Sequence, residues 1–119
     1  MTTREKGRIA EEKALVYLVA QNLKLVTQNY SCRLGEIDLI MRDNDYLVFI
    51  EVRARISADF GGGLASINYA KKQKIIKSAL HYVMTHNKQS NLAMRFDVIS
   101  IDGKSASITW LKDAFGVDY

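Results

Sequence analysis

Asp38, Glu51 and Arg53 stand in the most apolar region of the chain, the stretch GEIDLIMRDNDYLVFIEVRAR from Gly35 to Arg55. Glu36 to Arg42 and Tyr46 to Arg55 read as strands, and Asp43, Asn44 and Asp45 between them have the composition of a tight turn. In a hairpin turning about Asn44 and Asp45, residues whose numbers share one sum lie opposite each other. One face then pairs Ile37 with Val52, Leu39 with Ile50 and Met41 with Val48, and the other pairs Glu36 with Arg53 and Asp38 with Glu51. Like charges placed opposite each other on a sheet are destabilising, and partial burial adds desolvation. Something must offset that cost.

A hard divalent cation does so directly. Mg²⁺ or Mn²⁺ prefers oxygen ligands, commonly one or two carboxylates together with water and substrate phosphate, and the Val52 carbonyl would add another oxygen. The chemistry that suits such a site is phosphodiester hydrolysis. The cation lowers the pKa of water and polarises the phosphoryl oxygen, while Arg53 stabilises the developing negative charge. Arg53 is not a general base, because its guanidinium stays protonated and has no acceptor nitrogen. Water activation falls to the metal, with Glu51 or the substrate phosphate assisting. The spacing equally suits a structural network in which Arg53 and Arg55 neutralise the acids.

Positioning these residues requires a framework. A helix is predicted from about Glu5 to Gln21, with Ile9, Ala14, Leu15, Val16, Leu18 and Val19 on a broad apolar side. Glu11 lines up with Leu15 and Leu18, and Glu12 lines up with Val16 and Val19, so periodicity leaves open which acid faces inward. Either acid also suits the positive end of the helix. Leu23 to Ser31 reads as a short strand before the hairpin. A second helix fits Asn68 to His86, with Ile75, Ile76, Ala79, Leu80 and Val83 inward. Met94 to Ile101 and the weaker Ser105 to Trp110 complete the strands, with a turn at Asp102 and Gly103. A helix of that length between the third and fourth strands is a crossover, which makes those strands parallel neighbours in a mixed sheet.

The chain has 119 residues, 48% of them apolar and 25% charged, which suits one α/β domain over residues 1–119 with a less ordered tail at 112–119. No apolar run approaches a membrane span, and Glu11, Glu12 and Lys13 interrupt the start as a secretory signal, so a cytoplasmic location without membrane is expected. Cys32 is the only cysteine, so neither an internal disulfide nor a thiolate zinc cluster can form. The net charge is +4, and no acid occurs between Asp59 and Asp97, where Lys71, Lys72, Lys74, Lys77, Lys88 and Arg95 lie. Such a field attracts a polyanion, and Lys71, Lys74 and Lys77 are the expected contacts to a nucleic-acid backbone. His81 and His86 do not share the helix spacing of a paired metal site, Gly61, Gly62 and Gly63 lack a P-loop ending and suit a lid, and Trp110 is expected to anchor the last strand.

Several motifs in order resemble the UPF0102 or YraN-like bacterial family: GRIAEEKA at Gly7 to Ala14, NYSCRLGEIDLI at Asn29 to Ile40, FIEVRAR at Phe49 to Arg55, the FGGG loop, and MRFDVISI at Met94 to Ile101. The resemblance spans about Gly7 to Phe115. It implies a restriction endonuclease-like mixed β-sheet flanked by helices, similar also to archaeal Holliday junction resolvases. It further implies a metal-binding nuclease core with Asp38 as first acid and Glu51 as second. Arg53 occupies the position where the wider superfamily usually carries lysine. Glu11 matches the acid of the first-helix motif, Ala10 replaces its common glycine, and Lys71 matches a basic residue near the start of the second long helix. The expected activity is Mg²⁺- or Mn²⁺-dependent cleavage of structured or branched DNA, with a homodimer supplying two active sites. The alternative is a non-catalytic DNA-binding or DNA-processing accessory protein on the same core.

Overall fold

The computed structural model describes residues 2–55, 67–86 and 91–116. The first helix, α1, spans Thr3–Ala20. It begins earlier than periodicity indicates because Thr2 caps it: the Thr2 hydroxyl accepts from the Glu5 amide at 3.2 Å, and the Glu5 carboxylate reaches back to Thr2. Ala10, Ala14 and Leu18 form its buried stripe. Val16 and Val19 are more than half exposed, which puts Glu12 outward with them and leaves Glu11 half-buried beside the stripe.

Five strands follow: β1 (Lys24–Cys32), β2 (Gly35–Asp43), β3 (Tyr46–Arg55), β4 (Ala93–Asp102) and β5 (Ile108–Phe115). They form one sheet in sequence order. β3 and β4 are parallel and the other neighbours antiparallel. The crossover is the second helix, α2 (Tyr69–Thr85), capped by the Asn68 side chain, which accepts from the Lys71 amide at 2.9 Å. The outcome is the mixed α/β sheet flanked by helices that the element order implies. The FGGG loop and Lys88 lie outside the described residues.

The core lies on both faces of the sheet. Beneath α1, Ala10, Ala14 and Leu18 pack on Leu39, Met41, Val48 and Ile50; beneath α2, Ile75, Ile76, Ala79 and Tyr82 pack on Ile40, Leu47, Phe49 and Val98. Leu80 is not part of this core: it is 42% exposed, and Tyr82 fills the stripe instead, three residues on from Ala79. β5 continues past Trp110 to Phe115, whose ring is buried and stacked on Phe96 at 5.3 Å. Lys112 to Phe115 are therefore strand, where the sequence suggests a looser tail. Among the described residues no helix is long and apolar enough to cross a membrane.

Arg95 is not part of a basic surface. It is buried, with Nε and Nη2 each donating to Asp97 at 2.9 Å and Nη2 also 3.0 Å from Asp43. The two residues are two apart on β4, so they share one sheet face. Trp110 donates its indole N–H to Asp97 at 2.9 Å and packs edge-on against Tyr17. It anchors the last strand through a hydrogen bond as well as through apolar contact.

Gly35 opens β2 at φ +153°, a conformation that side chains rarely adopt. A Cβ there would stand 3.0 Å from the Ser78 hydroxyl, which is tied to the Lys74 carbonyl at 2.8 Å. Gly35→Ala is expected to cost about 1–3 kcal/mol from backbone strain and crowding, read as a lower urea midpoint with unchanged slope.

Candidate active site

The hairpin ladder runs in the predicted register from Asp43–Tyr46 to Leu39–Ile50, and its backbone pairing stops there. Asp38 and Glu51 are next in line but do not continue it. Instead Asp38 Oδ2 accepts the Val52 amide N–H at 2.8 Å, in the place where a β2 carbonyl would otherwise stand. Ile37 shows the same departure. It packs with Ile40 beneath α2 rather than with Leu39 and Met41 beneath α1, so the predicted Ile37–Val52 pair does not form. β2 turns away from β3 at Asp38, and Glu36 and Arg53 are likewise not paired. The turn opens a gap in the sheet where the two carboxyl groups meet.

Glu51 is only 6% exposed. Burial first, then the Asp38 charge and the hydrogen bond to Asp38, push its pKa up to about 8 against the opposing pull of Lys71 and Arg53. Burial beside the Asp38 charge thus disfavours the ionised form of Glu51 near neutral pH. Glu11 is raised as well, by burial and then by the charges of Asp38 and Glu36. An acid on α1 and a lysine on α2 therefore both feel a pair that sits in the plane of the sheet. Glu36 was not singled out by sequence, although its place two residues before Asp38 was a usable sign.

Arg53 lies two residues beyond Glu51 on the same strand face. Among the described residues its Nε is buried without a hydrogen-bond partner, as is the hydroxyl of Ser100, its register partner on β4. Lys71 and Lys74 line a cleft of about 370 Å³ together with Gly35, Glu36 and Asn68. Lys77 is exposed and does not line this cleft. A residue's N–H and C=O leave a strand on the same edge, so the Val52 carbonyl also faces the gap beside Asp38.

Among the described residues no group of three or more His, Cys, Asp or Glu side chains is arranged to hold a metal ion. The donors present, Asp38, Glu51 and the Val52 carbonyl, are all oxygens. They fit the partial ligand set of Mg²⁺ or Mn²⁺, which leaves positions to water and phosphate. The histidines have other partners: His81 Nδ1 is 2.6 Å from the Tyr30 hydroxyl, and His86 stacks on Tyr82 at 4.1 Å. Cys32 is half-buried at the end of β1.

A model of the family described as "Uncharacterised protein family UPF0102" matches residues 10–101. A UPF0102 protein of Legionella pneumophila (strain Corby) is 65% identical over 113 residues, covering 95% of this chain and 96% of its own. One from Psychromonas ingrahamii is 54% identical over 110 residues, covering 92% and 88%, and one from Nitrosospira multiformis is 42% identical over 120 residues, covering 100% and 99%. The matched span contains Glu11, Asp38, Glu51, Val52, Arg53 and Lys71. With the match this long, the chain belongs to the UPF0102 family.

Proposed function

We propose that this protein is a Mg²⁺- or Mn²⁺-dependent endonuclease that hydrolyses phosphodiester bonds in structured or branched DNA, on a core of the restriction endonuclease-like kind. The reading is carried by one observation: two carboxyl groups meet where β2 parts from β3, with Asp38 fixed by the Val52 amide and Glu51 buried against it. A bound cation supplies there the Lewis acidity and the nucleophile that phosphodiester cleavage requires. Asp38 presents its free oxygen already oriented. Glu51 gives up its proton when it becomes a ligand, so binding strengthens as pH rises towards 8.

Arg53 supplies charge. Its guanidinium charge stabilises the negative charge that grows as the bond to the leaving oxygen breaks. Lys71 and Lys74 attract the neighbouring backbone phosphates, and Lys77 adds to the field at longer range. Glu11 orients water at the α1 side of the pair. A homodimer would place two such sites to cut both strands.

A second reading is favoured by Arg53, which cannot shed its proton as a lysine can: an accessory protein that binds DNA without cutting it. One experiment separates them. Linear, flapped, branched and single-stranded DNA are incubated with Mg²⁺ or Mn²⁺ and either wild type or D38A/E51A. Cleavage by wild type and its loss by at least about a hundredfold in the double variant is the expected result. Equal cutting by both proteins refutes the catalytic reading, and binding without cutting establishes the accessory one.

A further inference from the structure

A second cleft is larger than the one beside Lys71. It holds about 580 Å³ between α1, β1 and β2, and its wall includes Arg4, Arg8, Glu11, Asn29, Ser31 and Asp38. That volume suits a nucleotide unit. Because α1 and α2 pack on different core clusters, this cleft and the lysine-lined cleft open on opposite faces of the sheet. They meet at one place: Glu36 lines both, and the acid pair lies in the gap beside it.

Arg4, Arg8 and Glu11 follow the helical spacing that puts them on one side of α1, so the two guanidinium groups lead along the cleft towards Asp38. Both arginines are exposed, and neither forms an ion pair among the described residues. Their charges are uncommitted although Glu11 and Glu36 share the cleft. At the helix start the Thr2–Glu5 capping box already engages the Thr2 and Glu5 amides. A planar guanidinium binds phosphate through two parallel hydrogen bonds, and two of them one helical turn apart suit successive phosphates of one strand.

We infer that the cleft between α1, β1 and β2 is a second strand-binding subsite. Arg4 and Arg8 hold the phosphates of one nucleic-acid strand there, while Lys71 and Lys74 hold those of another on the opposite face, and the two strands part at Asp38 and Glu51. The inference rests on the nucleic-acid reading above and narrows its substrate to DNA whose strands separate beside the cut, as at a fork or flap. A continuous duplex keeps its strands together and fills one cleft only. Asn29 and Ser31 face the same strand from β1 with neutral donors and acceptors.

The test is binding without metal, so that it stands apart from catalysis. Fluorescence anisotropy in EDTA compares a forked DNA with a linear duplex of equal length across a salt series. Wild type is expected to bind the fork roughly tenfold more tightly. R4A/R8A should reduce that preference to within about twofold and flatten the slope of log K against log salt by about 1–2. R4Q/R8Q, which keeps the side-chain length, should behave the same, and both variants should melt with wild type because the arginines are exposed. Equal affinity of wild type for fork and duplex, or a fork preference unchanged in both variants, overturns the inference. Loss of cleavage activity with this binding pattern intact overturns only the catalytic reading.

Discussion

Asp97→Ala will cost the fold about 3–5 kcal/mol, a fall in melting temperature of roughly 10–20 °C. Asp97 is fully buried and accepts from Arg95 Nε and Nη2, the Trp110 indole and the Asp113 amide, each at 2.9 Å. Removing it leaves those donors without an acceptor and strands most of the Arg95 charge inside the protein. Burial works to lower the Arg95 pKa, but the hydrogen bonds and charges of Asp97 and Asp43 outweigh it and hold the guanidinium protonated. With Asp97 gone, only the half-buried Asp43 remains as counter-charge. Arginine does not escape by losing its proton.

The same argument predicts a partial rescue. Arg95→Met added to Asp97→Ala removes the stranded charge and should restore at least about 1 kcal/mol, measured by urea unfolding of both single variants and the double. A double variant less stable than D97A would show that Arg95 acts through contacts other than this pair. A D97A protein as stable as wild type would refute the network altogether.

Glu51→Gln will stabilise the protein at alkaline pH. The Glu51 pKa is about 8 in the folded state against 4.5 for the ordinary carboxyl group. Below about pH 4.5 both states hold the proton and nothing is lost. As pH rises from there towards 8 the unfolded chain releases its proton while the folded one keeps it, so stability falls across that window. Glutamine resembles the protonated carboxyl group in shape and does not ionise. The variant should therefore match wild type near pH 4 and exceed it at pH 8.5 by something on the order of 2–4 kcal/mol.

That sign distinguishes two explanations of the acids. If Glu51 served mainly as the partner of Arg53 in a structural ion pair, losing its charge would destabilise the fold at pH 8.5. If it is a ligand held in wait for a cation, its removal relieves a strain that function demands. The second expectation carries a companion. Mn²⁺ or Mg²⁺ should raise the wild-type melting temperature at pH 8 and leave that of E51Q within about 1 °C, because only an ionisable carboxyl group completes the site. Lower stability of E51Q at alkaline pH, with the two proteins equal at pH 4, would refute the ligand explanation.

Local chemistry made much of this protein readable in advance. The apolar run from Tyr46 to Ile50 marks β3, and Asn44, at φ 54°, marks the turn before it. These settle the pairing of Leu39 with Ile50 and of Met41 with Val48. A helix-length segment before Ala93 requires β3 and β4 to be parallel, since the chain must return to the same sheet end. Such features depend on neighbours a few residues apart, and sequence encodes those directly. The order of motifs also identified the family.

Tertiary structure decided what pairing arithmetic does not contain. The hairpin sum puts Asp38 opposite Glu51, but only the pull of β1 and α2 on the start of β2 turns Asp38 out of the ladder and lets its carboxylate take the Val52 amide. Arg95 counts as surface charge in a composition and as half of a buried pair once the fold sets Asp97, Asp43 and the Tyr46 ring around its guanidinium. Glu11 and Glu12 are equivalent by periodicity, and the contact between Ala10, Ala14, Leu18 and the sheet turns one towards the acids and the other to solvent. The cleft of Arg4 and Arg8 exists only because α1 lies across the end of β2. The residue types and their order were set by the sequence, whereas the faces they occupy follow from packing between segments far apart along the chain.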